Sequence, residues 1–222
     1  MQVRTVIFDL DGTLVDTSGD LIAAANLAFA QMGHDVVLDP ARDAGTALRG
    51  GRAMLRLGLE RLGQSDEAEV DRGYPVLLDA YENDLSRRSY LYPGAMQAVS
   101  ALQSAGFAVG ICTNKPERMA HQLFVDLGIR DAFASLVGAD TLPVCKPDPR
   151  PLAEAARRAG GDPARCLLVG DSDTDRKTSA ALGVPSILVT FSPAGQSVAD
   201  LKPEALLHDF ADLPRLSDQL LP

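Results

Sequence analysis

Apolar residues in this chain occur in short continuous runs, separated by longer segments in which they recur every three or four positions. Short apolar runs rich in β-branched residues are typical of interior strands, and the wider spacing is typical of amphipathic helices. Strands are predicted at residues 5–10, 108–113, 136–138, 166–170 and 186–189. Helices are predicted between the later strands, at residues 95–105, 117–127, 151–159 and 174–182. This alternation predicts an α/β fold with a Rossmann-like, three-layer core, in which helices cover both faces of a parallel sheet.

The stretch from residue 15 to residue 90 breaks this alternation. Its amphipathic segments lie near residues 21–32, 52–62 and 67–87, and it contains no convincing strand. We therefore predict an all-helical cap domain, residues 15–90, inserted above the carboxyl edge of the sheet. The core domain then comprises residues 1–14 and 91–222, and includes a last covering helix within 209–220. Because two segments link the domains, a lid that opens and closes is expected.

Composition and charge exclude several classes of protein. A net charge of -9 over 222 residues argues against binding to nucleic acid or to anionic membranes. No apolar run is long enough to span a bilayer, and the N-terminus leads directly into a strand. Three unclustered cysteines fit a reducing compartment better than a disulfide framework. We expect a soluble, cytoplasmic protein, and the sequence leaves a monomer and a homodimer both open.

Two carboxylates come directly after the first predicted strand. Asp9 and Asp11 are two positions apart, so their side chains emerge on the same side of the chain. Ligands of open α/β sheets bind just beyond the carboxyl ends of the strands. Two acids this close repel each other unless a cation or a shared proton intervenes. An isolated Asp-Gly is more often a plain turn, so the other strand ends decide between the two interpretations.

Polar groups also come after three of the later predicted strands. The first group offers a hydroxyl and backbone N–H groups to a phosphate, the second holds one cation among prolines, and the third is dense in acids. Taken alone, the third group also fits a helix N-cap with acids that favour the helix dipole. The groups are Thr113-Asn114-Lys115-Pro116, Lys146-Pro147-Asp148-Pro149 and Gly170-Asp171-Ser172-Asp173-Thr174-Asp175.

In this order the four groups resemble the motifs of the haloacid dehalogenase-like superfamily: Asp-x-Asp-Gly-Thr, then a Ser or Thr, a Lys, and an acidic Gly-Asp-x-x-x-Asp. The resemblance covers nearly the whole chain and is least informative in the cap. It implies a phosphomonoester hydrolase that works through an aspartyl-phosphate intermediate. It also implies a Mg²⁺ cofactor, which accepts oxygen ligands and bridges carboxylate to phosphate.

The resemblance assigns the catalytic and metal-binding roles. Asp9 would be the nucleophile and a metal ligand, and Asp11 the general acid and base. Lys146 would neutralise charge on Asp9 and on the phosphoryl group. The metal would be completed by the backbone carbonyl of Asp11, by Asp171, and by Asp175 either directly or through water.

Substrate binding is shared between core and cap in the same interpretation. Thr113 and the backbone amide of Asn114 are expected to bind phosphoryl oxygens, and Lys115 is a further candidate for substrate contact. In the cap, Arg49 and Arg52 flank two glycines. They either present a guanidinium to a substrate carboxylate, which Arg binds through two hydrogen bonds, or are ordinary surface charges.

The cap contains no lysine. In the superfamily, the enzymes that cleave phosphonates need a cap lysine and the sugar phosphomutases typically use one, while true dehalogenases lack the second aspartate of the first motif. A phosphatase remains, and the motifs look most like those of bacterial phosphoglycolate phosphatases, which hydrolyse 2-phosphoglycolate. Two alternatives stay open: a phosphatase for a sugar phosphate or another small phosphorylated metabolite, and a non-catalytic regulator that binds such a metabolite.

Overall fold

The chain folds into two compact units. The computed structural model describes residues 3–222. The first unit contains the chain up to Val15 together with Leu91–Pro222, and the second contains Asp16–Tyr90. None of the helices in the described part has the length and the apolar character needed to cross a bilayer. That the second unit acts as a cap stays a prediction.

A six-stranded parallel sheet lies at the centre of the first unit, which confirms the predicted α/β fold class. Its strand order is β5-β4-β1-β6-β7-β8. The strands are β1 (Thr5–Phe8), β4 (Ala108–Cys112), β5 (Ser135–Val137), β6 (Cys166–Gly170), β7 (Ser186–Val189) and β8 (Ala205–Leu207), and the short β2 (Val15–Asp16) and β3 (Tyr90–Leu91) form a separate two-stranded sheet.

The central strand β1 is buried along its whole length between β4 and β6. Its Ile7 packs with Cys112, Cys166 and Leu168 in one core cluster. Burial raises the pKa of both cysteine thiols to about 12, so these side chains act as apolar packing. Because β1 has no exposed residue, the loop that leaves its carboxyl end starts from a fixed point, as a precise site requires.

Five helices belong to the first unit: α5 (Ala95–Ser104), α6 (Glu117–Asp126), α7 (Arg150–Arg158), α8 (Asp173–Leu182) and α9 (Leu213–Leu220). Each predicted helix of the core lies within one residue of its observed bounds at either end, except the last, which begins at Leu213. The prediction missed β8. This strand has only three residues, two of them partly exposed, so it lacks the buried apolar run that marked the others.

Four helices form the second unit: α1 (Ser18–Gln31), α2 (Pro40–Ala47), α3 (Gly51–Arg61) and α4 (Glu67–Asn83). The prediction missed α2, which buries only Asp43 and Ala47 and therefore shows no apolar stripe. Its sequence signal is instead the N-cap Asp39, which accepts hydrogen bonds from two backbone amides, with Pro40 directly after it. The prediction of no strand in this stretch was wrong at its two ends, where β2 and β3 lie.

Candidate active site

The candidate site is built entirely on the first unit, from the loops at the carboxyl ends of its central strands. Because β1 lies between β4 and β6, the residues after these three parallel strands meet at one edge of the sheet. The loop after β5 adds Lys146 to this group. The strand order thus brings together residues that are far apart in sequence.

Lys146 lies between two carboxylates. Its Nζ is 2.6 Å from Asp175 Oδ1 and 3.0 Å from Asp9 Oδ1, and its side chain is 1% exposed. Burial by itself lowers the pKa of this ammonium, but the charges of Asp175 and Asp9 outweigh burial and raise the pKa above its ordinary value. Lys146 is therefore a permanent cation at the end of β1.

The carboxylates at this edge carry more negative charge than Lys146 offsets. Burial raises the pKa of Asp9 to about 7; Lys146 opposes this effect, and the charges of Asp175 and Asp11 add to it. Burial, together with Asp175 and Asp9, also raises the pKa of Asp171 well above its ordinary value. Both shifts have the same physical origin, which is the crowding of buried acids around a single ammonium.

This arrangement fits a divalent cation. Asp9, Asp171 and Asp175 each offer a carboxylate oxygen, and these oxygens lie within 4.8 Å of one another. Asp9 Oδ1 is buried, and its contact within residues 3–222 is the ion pair with Lys146 Nζ at 3.0 Å. Crowded, hard oxygen donors with excess negative charge are the ligands that Mg²⁺ prefers. The residues present are therefore compatible with the predicted metal.

Asp175 is held in place by the start of α8. Ser172 caps this helix, since its hydroxyl accepts from Asp175 N at 3.3 Å and donates to Asp175 Oδ2 at 2.5 Å. Gly170 permits the close approach of the carboxylate to the end of β6, because a Cβ at Gly170 would lie 2.4 Å from Asp175 Cγ. The helix cap and the ionic site, which the sequence presented as alternatives, are both present and share Asp175.

Asp11 has a different cation from Asp9. The Nζ of Lys115 lies 2.9 Å and 3.1 Å from the two carboxylate oxygens of Asp11. The Lys115 side chain is 3% exposed and the Asp11 side chain 17%, so this pair is partly shielded from solvent. The Asp11 carboxylate is not one of the three that could share a metal within the described chain. The two acids of the first motif thus have separate partners, and a contact of the Asp11 backbone carbonyl with a metal stays a prediction.

Two further residues after β4 line this edge. Thr113 is buried, and its hydroxyl accepts a hydrogen bond from Lys115 N at 3.1 Å. The side-chain amide of Asn114 makes two hydrogen bonds, each of 3.0 Å, with the backbone of Lys146. The sequence-based prediction missed this second arrangement, because nothing in the motif relates the two loops in space.

The two candidate arginines belong to the second unit. Arg49 is exposed in the turn between α2 and α3. Arg52 donates to Asp71 at 2.6 Å, and its guanidinium lies 4.6 Å from the centre of the Tyr74 ring. Part of its hydrogen-bonding capacity is therefore used within its own unit, and substrate binding by either arginine stays a prediction.

Thr13 is a contributor that belongs to the first motif but received no role from the sequence. Its buried hydroxyl donates to Asp171 Oδ1 at 3.3 Å, joining the loop after β1 to the loop after β6. The signal available in the sequence was a hydroxyl side chain two positions after Asp11, within the first motif.

Comparison with known proteins agrees with this geometry. A family model of haloacid dehalogenase-like hydrolases matches residues 3–183. Phosphoglycolate phosphatase of Mesorhizobium japonicum is 38% identical over 223 residues, covering 100% of this chain and 98% of the relative. The phosphoglycolate phosphatase of Caulobacter vibrioides is 35% identical, covering 98% of this chain and 92% of the relative.

A solved structure shares the fold over nearly the full length. The crystal structure described as a predicted phosphoglycolate phosphatase from Haemophilus somnus has a TM-score of 0.83 and 25% identity, covering 98% of this chain and 99% of the other. The predictions of superfamily and of a phosphatase are confirmed by these matches. The chain belongs to the haloacid dehalogenase-like hydrolase family.

Proposed function

We propose that this hydrolase is a Mg²⁺-dependent phosphomonoesterase that converts 2-phosphoglycolate to glycolate and phosphate. The observation that carries the proposal is the separate pairing of the two acids at the end of β1, Asp9 with Lys146 and Asp11 with Lys115. A nucleophile and a proton carrier must act on opposite ends of the same P–O bond. Two acids that are two residues apart and held by different cations meet this requirement.

Asp9 is the proposed nucleophile. One of its oxygens attacks phosphorus, the bond from phosphorus to the leaving oxygen breaks, and an aspartyl-phosphate forms. Lys146, 3.0 Å from Asp9, offsets the negative charge that would otherwise keep a phosphate dianion from a carboxylate. Mg²⁺, held by Asp9 and Asp171 with Asp175 nearby, would supply further charge neutralisation as a Lewis acid.

Asp11 is the proposed general acid and base. In the first step its protonated carboxyl gives a proton to the leaving alkoxide, and in the second it takes a proton from the water that cleaves the aspartyl-phosphate. Lys115 contacts both Asp11 oxygens and so keeps this side chain apart from the cluster around Asp9. The same carboxyl group then serves both half-reactions.

The choice of an acidic substrate is supported by the relatives and by Lys115. In 2-phosphoglycolate the carboxylate is attached to the carbon that bears the leaving oxygen. If Asp11 acts on that oxygen, the Lys115 ammonium, 2.9 Å from Asp11 Oδ1, is a cation close to the expected place of the substrate carboxylate. Relatives named phosphoglycolate phosphatase match nearly the whole chain. We propose that Lys115 is shared between Asp11 and the substrate carboxylate.

A panel of phosphate esters tests the proposal. We expect 2-phosphoglycolate to have the highest kcat/KM, well above ethyl phosphate, which has a leaving group with the same number of carbons and no carboxylate. Asp9→Asn is expected to lower kcat by at least about 10⁴-fold. A sugar phosphate at the top of the panel would favour the first alternative. Binding without phosphate release from any ester would favour the non-catalytic regulator.

Lys115→Met tests the assignment of the substrate carboxylate. Removing the ammonium should lower kcat/KM for 2-phosphoglycolate more than for ethyl phosphate, by about 10-fold in the ratio, because a charge-assisted hydrogen bond is lost only with the acidic ester. Lys177→Met is the matched control, since Lys177 is an exposed lysine paired with Asp173 on the surface of α8. An unchanged ratio in Lys115→Met would contradict this part of the proposal.

A further inference from the structure

Asn114 fastens the loop that carries Lys146. Its Nδ2 donates to the backbone oxygen of Lys146, and its Oδ1 accepts from the backbone N–H of Lys146, both at 3.0 Å. The two residues are 32 positions apart and lie on different loops. One side-chain amide therefore occupies both backbone hydrogen-bonding groups of a single residue, as a neighbouring strand would.

The backbone of Lys146 lies in a turn that Asp148 N closes by donating to Cys145 O at 3.0 Å, and Asn114 joins this turn to the loop after β4. It lies outside helices and strands, in a segment that contains Pro143, Pro147 and Pro149. Proline has no backbone N–H and fits poorly into a ladder of strand hydrogen bonds. A lysine side chain is also a flexible stem of four carbons. The contacts of Nζ with Asp9 and Asp175 therefore depend on where the Lys146 backbone is held.

We propose that Asn114 is a positioning residue for the reaction and that it acts through Lys146. This inference depends on the role proposed above for Lys146. Asparagine suits the task because a single planar group carries both a donor and an acceptor. Asn114 is exposed, so its amide is not needed to fill the protein core. It comes after β4, next to β1, and thus ties the lysine loop to the strand end that lies beside the nucleophile.

Asn114→Ala is the direct test. We expect kcat for 2-phosphoglycolate to fall by about 10- to 100-fold, because small displacements of a positioned group cost this much in rate. Asn114→Asp keeps the acceptor and loses the donor, and it should fall between the wild type and Asn114→Ala. Asn83→Ala is the matched control: Asn83 is also exposed, and its Nδ2 donates to the backbone oxygen of Asp79 at 2.9 Å. The control should keep full activity and a similar melting temperature.

A double-mutant cycle separates positioning from a general structural effect. Inorganic phosphate serves as the probe, and its dissociation constant is measured by calorimetry in wild type, Asn114→Ala, Lys146→Ala and the double variant. If Asn114 acts through Lys146, Asn114→Ala weakens phosphate binding in the wild-type background and has no further effect in Lys146→Ala. Additive losses would overturn the inference. Full activity of Asn114→Ala with inactive Lys146→Ala would also overturn it, whereas full activity of Lys146→Ala would overturn the proposed function instead.

Discussion

Lys146 lies closer to Asp175 than to Asp9, with its ammonium 2.6 Å from the first carboxylate and 3.0 Å from the second. Asp175 is fully buried and fixed by the cap of α8. The position of the Lys146 ammonium beside Asp9 therefore depends on the start of α8, which comes after β6 and not after β1. We therefore expect a substitution of Asp175 to move the Lys146 ammonium relative to Asp9.

We predict that Asp175→Asn lowers kcat by about 10- to 100-fold, since Lys146 loses its closest anion and the ammonium is no longer held in place. Steady-state kinetics at saturating Mg²⁺ measures the effect. Asp173→Asn is the control in the same helical turn, because Asp173 is exposed and pairs only with Lys177 in the described chain. Equal kcat values for Asp175→Asn and the wild type would show that α8 does not position Lys146.

Gly170→Ala is expected to disturb the site although no charged residue is substituted. The added Cβ would lie 2.4 Å from Asp175 Cγ and 2.5 Å from Asp175 Cβ, so the strand end and the helix start must move apart. We expect a loss of about 1–3 kcal/mol in the free energy of unfolding, the usual cost of overpacking. Urea denaturation measures this loss, and kcat should fall with it. A variant of wild-type stability would mean that α8 shifts freely.

Removal of divalent metal should abolish turnover, and added Mg²⁺ should restore it. Asp171→Asn is expected to raise the Mg²⁺ concentration for half-maximal activity by about 10-fold or more, because one of three clustered carboxylates loses its charge. Asp148→Asn is the control, since Asp148 pairs with Arg150 outside this cluster. Full activity in the presence of a chelator would exclude the proposed cofactor.

The second unit should lose stability in acid through one ion pair. The Arg61 guanidinium, 2.6 Å and 2.7 Å from the two oxygens of buried Asp43, lowers the pKa of that carboxyl from 3.8 to about 2. Because the folded pKa lies below the unfolded one, the stabilisation is complete above about pH 4 and is lost as pH falls towards 2. The shift corresponds to about 2 to 3 kcal/mol at most.

Thermal unfolding between pH 5 and pH 2 measures this contribution. Asp43→Asn should be less stable than the wild type at pH 5, and the difference should shrink towards pH 2. Glu67→Gln is the control, because Glu67 also accepts two hydrogen bonds from one arginine, Arg56, but on the exposed surface of the same unit. A surface pair is screened by solvent and should matter less. Equal acid profiles for wild type and Asp43→Asn would contradict the assignment.

The strands that the sequence located best are those buried on both faces. β6 and β7 have the predicted bounds, since every residue in them is buried and the apolar run ends where the strand ends. β1 and β5 are also buried throughout, but they end before residues 10 and 138, their predicted ends. The strand β8 was missed because its position depends on pairing with β7, a tertiary contact that the local sequence pattern does not show. The missed helix α2 is similar, since it buries only two residues and has no apolar face to detect.

The order of polar groups along the chain predicted which residues gather at the sheet edge. It did not predict which residue pairs with which. Lys115 meets Asp11 across 104 positions, and Asn114 meets Lys146 across 32. These pairings depend on loop geometry at the scale of single hydrogen bonds, and the order of residues in a motif contains no such information.

The place of β1 in the sheet also bears on the order in which the chain folds. β1 pairs Thr5 with Ala108 on one side and with Cys166 on the other, so the central strand has no complete set of neighbours until most of the chain has been synthesised. Non-local pairings of this kind form slowly, whereas helices with nearby partners form early. Asp9 is thus synthesised well before the strands β4 and β6 that flank β1, and its surroundings are completed only after β6 has formed.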